Sequence, residues 1–322
     1  MRFLRRILLI ILIATSMVIT LGVIAYAWVT LSTVNSIDGI GLTASAGDDL
    51  QISVDGINFY SSLPSTAITD LFDEINLYDV TTTDNINFYR GGLNRGIEAV
   101  ENLHYLSFDL WLQTTRLESD VYLYNNVSKN VDYYNTTPGT FVVSRGIYWM
   151  ANETFNNGPD VGDVVTNGSV DRYYSMNAIR IGIIELIDEE NNLDSRNSES
   201  LANLIFDPSE DPTRGFGLPY GAFSYFFRRA NYLMSIPTVK PDTVYQLSQM
   251  DPNNPYQALD NRSHIATMQP TEVVNENERT IYRAKVRVNV WVEGWDVDAF
   301  DAIENDPVKI QLQFKLAKRF IN

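Results

Sequence analysis

From Ile7 to Ile37 the chain carries no charged side chain, and Ile, Leu, Val, Ala, Met and Trp fill most positions through Val29. That run constrains everything after it. About 20 apolar residues, each rising ~1.5 Å in a helix, cross the ~30 Å hydrocarbon layer of a bilayer, so a stretch this long reads as a membrane or signal segment. Flanking charge sets its direction. Arg2, Arg5 and Arg6 precede it, and the charged residues that follow are acidic from Asp38 through Asp84, with no basic residue before Arg90. Positive charge stays on the cytoplasmic side, and the acidic chain is expected outside.

Two fates follow for residues 1–36. Ala25-Tyr26-Ala27 places small residues at the spacing a signal peptidase reads, which makes Ala25 and Ala27 the expected processing residues. The run is long for a signal peptide, so retention as a transmembrane anchor is the other fate. A type IV pilin leader is disfavoured, because no Gly precedes the run and no Glu stands early within it. The pair Arg5-Arg6 lacks the polar residue that precedes a twin-arginine signal and is read as positive-inside charge.

Residues 37–322 are expected to form one extracellular β-sandwich domain with long insertions at about 125–275. The chain has no cysteine, which excludes a disulfide framework, a thiolate metal site and a Cys nucleophile. A formal charge of −16 gives a surface that repels nucleic acid and anionic headgroups. Its 18 Tyr and 15 Phe, on an Asn- and Thr-rich background, favour strands.

Alternation places the strands. Leu50, Ile52 and Val54 alternate with polar residues up to the turn pair Asp55-Gly56, and Leu106, Phe108, Leu110 and Leu112 share one face of Leu103 to Thr115. Ala178 to Ile187, with five isoleucines, reads as a strand buried on both faces. The cleanest strands close the chain: Thr280 to Glu293, with Ala284, Val286, Val288, Val290 and Val292 on one face, and Val308 to Leu316. The opposite faces of these two carry Arg283, Lys285, Arg287, Lys309 and Lys315. Short helices are expected at Pro64–Asn76 with Ser65 as N-cap, at Ser198–Phe206, at Gly221–Met234 with an aromatic face, and at Asp296–Asn305 with Asp298 near its N-terminus.

Chemical motifs are few. The two histidines, His104 and His264, stand in no His-Glu-x-x-His pattern, so a zincin mechanism has no support, and His104 is expected to be an ordinary edge residue. Gly-x-Ser-x-Gly, a P-loop and Gly-x-Gly-x-x-Gly after a strand are all missing. Asp296-x-Asp298, Asp188-Glu189-Glu190 and Asp48-Asp49 offer oxygens of the kind Ca²⁺ takes, but without EF-hand spacing, and capping or a solvated acidic loop explains each more simply. Trp111, Trp149, Trp291 and Trp295, with Tyr133-Tyr134 and Tyr173-Tyr174, either stack sugar rings or fill the core; the core is the simpler reading. Sequons at Asn126, Asn135, Asn152, Asn167 and Asn261 matter only in a host that glycosylates.

The leader ending Tyr26-Ala27-Trp28, the strands Leu42 to Ala46 and Leu50 to Asp55, and the closing Val288-Asn289-Val290-Trp291-Val292-Glu293-Gly294 with Asp296, Asp298 and Ala302, then Ile310-Gln311-Leu312-Gln313-Phe314, resemble the TasA/camelysin-like exported surface proteins. The resemblance covers the leader and the closing strands only. It implies a jelly-roll β-sandwich displayed outside the cell, polymerised in some relatives into matrix fibres by strand donation.

The expectation is therefore an all-β, jelly-roll-like β-sandwich with inserted loops and short helices, preceded by the hydrophobic helix. Its expected role is non-enzymatic: a cell-surface or extracellular-matrix structural protein that binds copies of itself or envelope proteins, touches the membrane through its N-terminal helix, and takes no cofactor and no nucleic acid. Pairing is expected through an exposed strand, Ile37 to Ala46, added to a neighbour's sheet. A surface carbohydrate-binding module is the alternative, and a hydrolase built on paired carboxylates the third reading.

Overall fold

The computed structural model describes residues 34–45, 49–64, 66–69, 76–91, 96–230 and 235–321. Ala25 and Ala27, and the apolar run up to Thr33, lie outside the described residues. β1 (Val34–Ala44) is followed by β2 (Gln51–Ser53), β3 (Ser62–Leu63), a helical turn α1 (Thr66–Thr69), β4 (Asn76–Thr81) and β5 (Tyr89–Arg90). Next come β6 (Leu106–Thr114), β7 (Asp120–Leu123) and β8 (Phe141–Ser144). A ribbon of β9 (Ile147–Met150) and β12 (Val170–Tyr173) then encloses the small hairpin of β10 (Phe155–Asn156) and β11 (Val164–Val165). β13 (Ile179–Leu186), β14 (Asn203–Phe206), helix α2 (Ala222–Ala230) and β15 (Thr243–Val244) lead to the hairpin of β16 (Met250–Asp251) and β17 (Asn254–Ala258). β18 (His264–Thr267), β19 (Gln269–Val274), β20 (Thr280–Glu293) and β21 (Val308–Ala317) complete the described chain.

The fold is all-β, built on one large curled sheet whose two leaves face each other. β20 is the spine of the first leaf. Its long alternation of Val with polar residues lets one face sink into the core while the other meets loops. β6 runs antiparallel along one edge, with Val290 opposite Leu106 and Tyr282 opposite Thr114, and β4 continues that edge beyond Val290. β13 runs along the other edge from Val292 to Lys285, and β19 continues it. In the second leaf, β21 lies between β1 on one side and β7 and β8 on the other. Val286, Val288 and Val290 of the first leaf meet Ile40, Leu42, Leu312 and Phe314 of the second in one apolar core. Each such side chain contributes about 1.5–3 kcal/mol by leaving water.

Three expectations change and a fourth is met only as far as the described residues reach. Residues 37–44 do not form an exposed edge. β1 pairs in parallel with β21 from Ile37 opposite Val308 to Ala44 opposite Phe314, and its other edge is taken by β4 at Val34–Ser36 and by β3 at Leu42–Thr43. Ile40 and Leu42 are fully buried, so the charge-poor stretch expected to be an available edge is an interior strand. Ser198–Phe206 is a short 3₁₀ turn, Ser198–Ser200, followed by strand β14, because Leu204 and Phe206 join the sheet core beside β13. Asp296–Asn305 holds only a 3₁₀ turn, Asp301–Ile303, its carboxylates being engaged elsewhere. The helix expected at Pro64–Asn76 is described only as α1, with Ser65 and residues 70–75 outside the described set.

Span 125–275 supplies β8, β13, β14, β15, β18 and β19 to the main sheet and carries three small hairpins outside it. Helix α2 matches the expected aromatic helix over Ala222–Ala230, packing Tyr225 and Phe226 against Phe155 and Phe300. Among the described residues no helix is long and apolar enough to cross a membrane.

Candidate functional site

The outer face of β20 changes character along its length. Near its start, Arg283, Lys285 and Arg287 are half-exposed, with Asp109 of β6 taking ion pairs from Lys285 (3.4 Å) and Arg287 (2.8 Å). Toward its end, Asn289, Trp291 and Glu293 are covered by a second layer of loops. Phe88 stacks on Tyr105 (4.1 Å between ring centres) and meets Trp291 edge-on at 5.3 Å.

A buried ion cluster lies under this layer. Arg180, opposite Trp291 in the sheet register, is 2% exposed. Its guanidinium donates to the carbonyls of Asn177 (3.2 Å) and Ile179 (3.0 Å) and to the Asp296 carboxylate, and it stands 2.8 Å from Asp207 Oδ2 in an ion pair without hydrogen-bond geometry. Glu293 accepts from Trp291 Nε1 and from the Trp295 amide, both at 3.1 Å. Arg214 clamps Asp298 at 3.0 and 2.5 Å and donates to the Asn157 carbonyl. These contacts fasten the loops at 207–214 and 294–300 onto the sheet. The turn is tight enough that a Cβ at Gly91 would crowd the Gly294 backbone, at 2.9 Å.

One arginine therefore faces three enclosed carboxyls. Burial pushes Glu293 up to about 7, against the Trp291 hydrogen bond and Arg180, and burial likewise raises Asp296 and Asp207 despite Arg180. Burial opposes the charge on Arg180, but Asp207, Asp296 and Glu293 hold its proton more firmly than usual. The cluster is closed to any substrate, so its chemistry is that of a charged rivet. Removing one partner of such a set leaves an uncompensated buried charge, a cost of about 3–5 kcal/mol.

Open to solvent beside it is a groove of about 850 Å³ lined by Asp84, Asn203, Ile205, Asp242, Tyr245 and Arg262, among others. Tyr245 separates groove from cluster. Burial raises its hydroxyl pKa, with Arg180 opposing and Asp207 and Asp296 adding to the rise. Amides, carboxylates and a guanidinium around one aromatic ring suit a ligand rich in hydroxyls.

The groove's rim contains a feature the sequence reading passed over. Ser53-Val54-Asp55-Gly56-Ile57-Asn58-Phe59-Tyr60 recurs as Thr82-Thr83-Asp84-Asn85-Ile86-Asn87-Phe88-Tyr89. Both copies close in the same way. Asp55 Oδ1 accepts from the amides of Ile57 (2.9 Å) and Asn58 (2.8 Å), and Asp84 Oδ1 from those of Ile86 (2.9 Å) and Asn87 (2.8 Å). The Asn58 and Asn87 side chains donate to the second carboxylate oxygen at 2.7 Å in each. Those bonds hold Asp55 below the usual carboxylate range. Asp84 is also lowered: burial opposes the shift, and the Asn87 and Ile86 bonds outweigh it.

The sequence-derived candidates scatter. Asp296 and Asp298 are engaged by Arg180 and Arg214, which overturns their reading as solvated acids, while Asp296 Oδ1 accepts from the Asp298 amide (2.9 Å) as a capping carboxylate does. Asp188 is buried beside exposed Glu189 and Glu190, Asp49 accepts from the Thr115 amide at 3.1 Å, and Asp48 lies outside the described residues. Among the described residues no group of three or more His, Asp or Glu is arranged to hold a metal ion. His104 accepts from the Val100 amide and meets Arg90 and Tyr78, while His264 meets Arg319 from β18. Trp291 and Trp295 are buried, and Trp111 and Trp149 half-buried, so none presents an open stacking face. Arg180 and Asp207 were not anticipated. An arginine inside the apolar run Ile179–Ile184 was the available signal.

Comparisons with family models, curated proteins and solved structures give no match to this chain. What fold and site define by themselves is an all-β protein whose outer loops are riveted by a buried ion cluster beside a polar groove.

Proposed function

We propose that this chain is a non-enzymatic structural protein of the cell surface or extracellular matrix, a jelly-roll-like body displayed outside the membrane by its apolar N-terminal segment and joined to its own copies by exchange of β1. One observation carries the reading. β1 fills a slot between β21 and the strands β4 and β3, with Ile40 and Leu42 fully buried, and its principal partner lies at the far end of the sequence. A slot of that kind accepts the same strand from any copy, which is a low-cost route to assembly.

The test is a chain starting at Ser45 offered a peptide of residues 34–44. The shortened chain alone should lose its cooperative unfolding transition and recover it with the peptide. A shortened chain that is monomeric, as stable as the parent and indifferent to the peptide would overturn the reading.

A carbohydrate-binding surface module is the second reading, favoured by the groove around Tyr245. Glycan binding abolished by Tyr245→Ala together with Asn203→Ala would support it. Absence of binding across a glycan panel would remove it.

A further inference from the structure

The ribbon of β9 and β12 stands apart from the main sheet, and among the described residues each strand pairs only with the other. Its inward face is anchored: Trp149 meets Tyr173, Tyr225 and Phe300 edge-on, each at 5.7 Å between ring centres. Its outward face is bare, with Tyr148 73%, Met150 64% and Val170 62% exposed. The hydrogen-bond phase shows where its backbone points. Ala151 donates to the Ser169 carbonyl (2.8 Å) and accepts from the Gly168 amide (2.7 Å), so Ala151, and with it Trp149 and Ile147, turn toward β12. Tyr148 and Met150 turn their N–H and C=O groups the other way, where no described strand pairs with them. An aromatic strand with an unpaired edge is a template for another strand.

Charge identifies that strand. From Gly146 to Asn152 there is no charged residue, while Arg145 stands at one end and Glu153 at the other. A segment with a cation at its start and an anion at its end is complementary to itself when turned antiparallel. Side chains of opposed residues must share a face, which restricts a symmetric pairing to an axis passing through a residue rather than between two. An axis at Trp149 sets Tyr148 against the second copy's Met150, both with outward-pointing backbone groups, and brings Arg145, just before β9, to the end of the pair where the second copy's Glu153 follows β9. Elsewhere a chain of net charge −16 repels its own copies.

We propose that β9 is a self-recognition edge: two copies of this chain pair β9 with β9 antiparallel about a two-fold axis at Trp149, making a four-stranded sheet. This contact is separate from exchange of β1 and uses the opposite kind of surface, an open edge rather than a filled slot, so either can fail without the other.

The absence of native cysteine permits a direct test on the full chain in detergent. Chains carrying Tyr148→Cys and chains carrying Met150→Cys are mixed and oxidised. Cross-linked dimer should form several-fold more in the mixture than with either variant alone. Adding Arg145→Glu to both chains should reduce the yield several-fold, and adding Glu153→Arg to that background should restore it, because each new charge again meets its opposite. A Met150→Pro chain, which loses an outward amide without touching the β12 ladder, should keep its thermal transition yet fail to lower the cross-link yield as a competitor, where the parent chain lowers it. Equal yields in mixed and single samples, or a yield insensitive to Arg145→Glu, would overturn the proposal.

Discussion

The turns at 53–60 and 82–89 share Asp-x-Ile-Asn-Phe-Tyr and the same internal hydrogen bonds, yet they are used differently. In the first, Gly56 at φ +70° rests against the Trp111 ring, and Phe59 lies 5.0 Å from the Arg283 guanidinium. In the second, Asn85 holds the equivalent position at φ +60° and is fully buried. Its amide donates to Asn203 Oδ1 (3.1 Å) and the Leu204 carbonyl (3.2 Å) and accepts from Asn289 (3.1 Å). Gly182 leaves the space that the amide occupies. Phe88 then stacks inside the loop layer where Phe59 stays near the surface. A self-contained turn can thus be copied whole, and one residue at its left-handed position decides whether it lies on a sheet or locks into it.

The largest break in this comparison is Gly182→Val, which drives a branched side chain into the Asn85 amide. It should cost about 4 kcal/mol in denaturant unfolding, from overpacking plus orphaned buried amides. Next, Asn85→Ala should cost about 3 kcal/mol and Gly56→Ala about 1–2 kcal/mol. Both substitutions put alanine at positive φ, so the gap between them measures the buried amide network. Equal losses would mean that Asn85 contributes nothing beyond its backbone.

Acidity acts with opposite signs on Glu293, beside the second turn, and on Asp55 within the first. Glu293 sits opposite Val80, at the root of the second turn, and its folded value of about 7 is above its unfolded value, so it takes up a proton on folding. The stability it contributes is full below its unfolded value and is lost as pH rises through about 7. Unfolding at pH 5 should require about 2 kcal/mol more than at pH 8, and Glu293→Gln should flatten that profile. Asp55 is the reverse. Its depressed value stabilises the first turn above its unfolded range, and the support is lost only as pH falls through the folded value. Amide exchange at Ile57 and Asn58 should therefore quicken in strong acid. The smallest effect belongs to Gly56→Asn, which gives the first turn the second's residue. With Trp111 3.2 Å from the new Cβ, stability should change by under about 1 kcal/mol.

Legibility followed the reach of each interaction. Strands β6, β13, β20 and β21 were readable because alternation is local and their apolar faces are long. Helix α2 was readable from its aromatic face. β14 was missed because its apolar residues fit either period over so few positions, and only pairing with β13 decides. β1 was expected as a strand but not in its place, since an edge strand and an interior strand read alike. The ion cluster joins Arg180, Asp207 and Asp296 from three separate segments, and no spacing rule links them. The repeated turn was fully present in the sequence as a literal repeat; what could not be read was that Asn85 would meet Gly182.

Pairing β1 with β21 also sets a timetable. The Asp306 amide donates to the Asn35 side chain across 271 positions of sequence, at the seam where the two strands meet. At synthesis rates of about 5–20 residues per second, Ile37, Ile40 and Leu42 wait on the order of 15–50 s for the partner that covers them. During that interval β3 and β4 can take one edge of β1, but the edge that pairs with β21 is unclaimed, and β21 is the strand that closes it. Such long-range closure is slow by topology alone. Refolding from denaturant should accordingly show its final phase at β1 and β21 together, and a holdase that shields extended apolar chain should raise its yield.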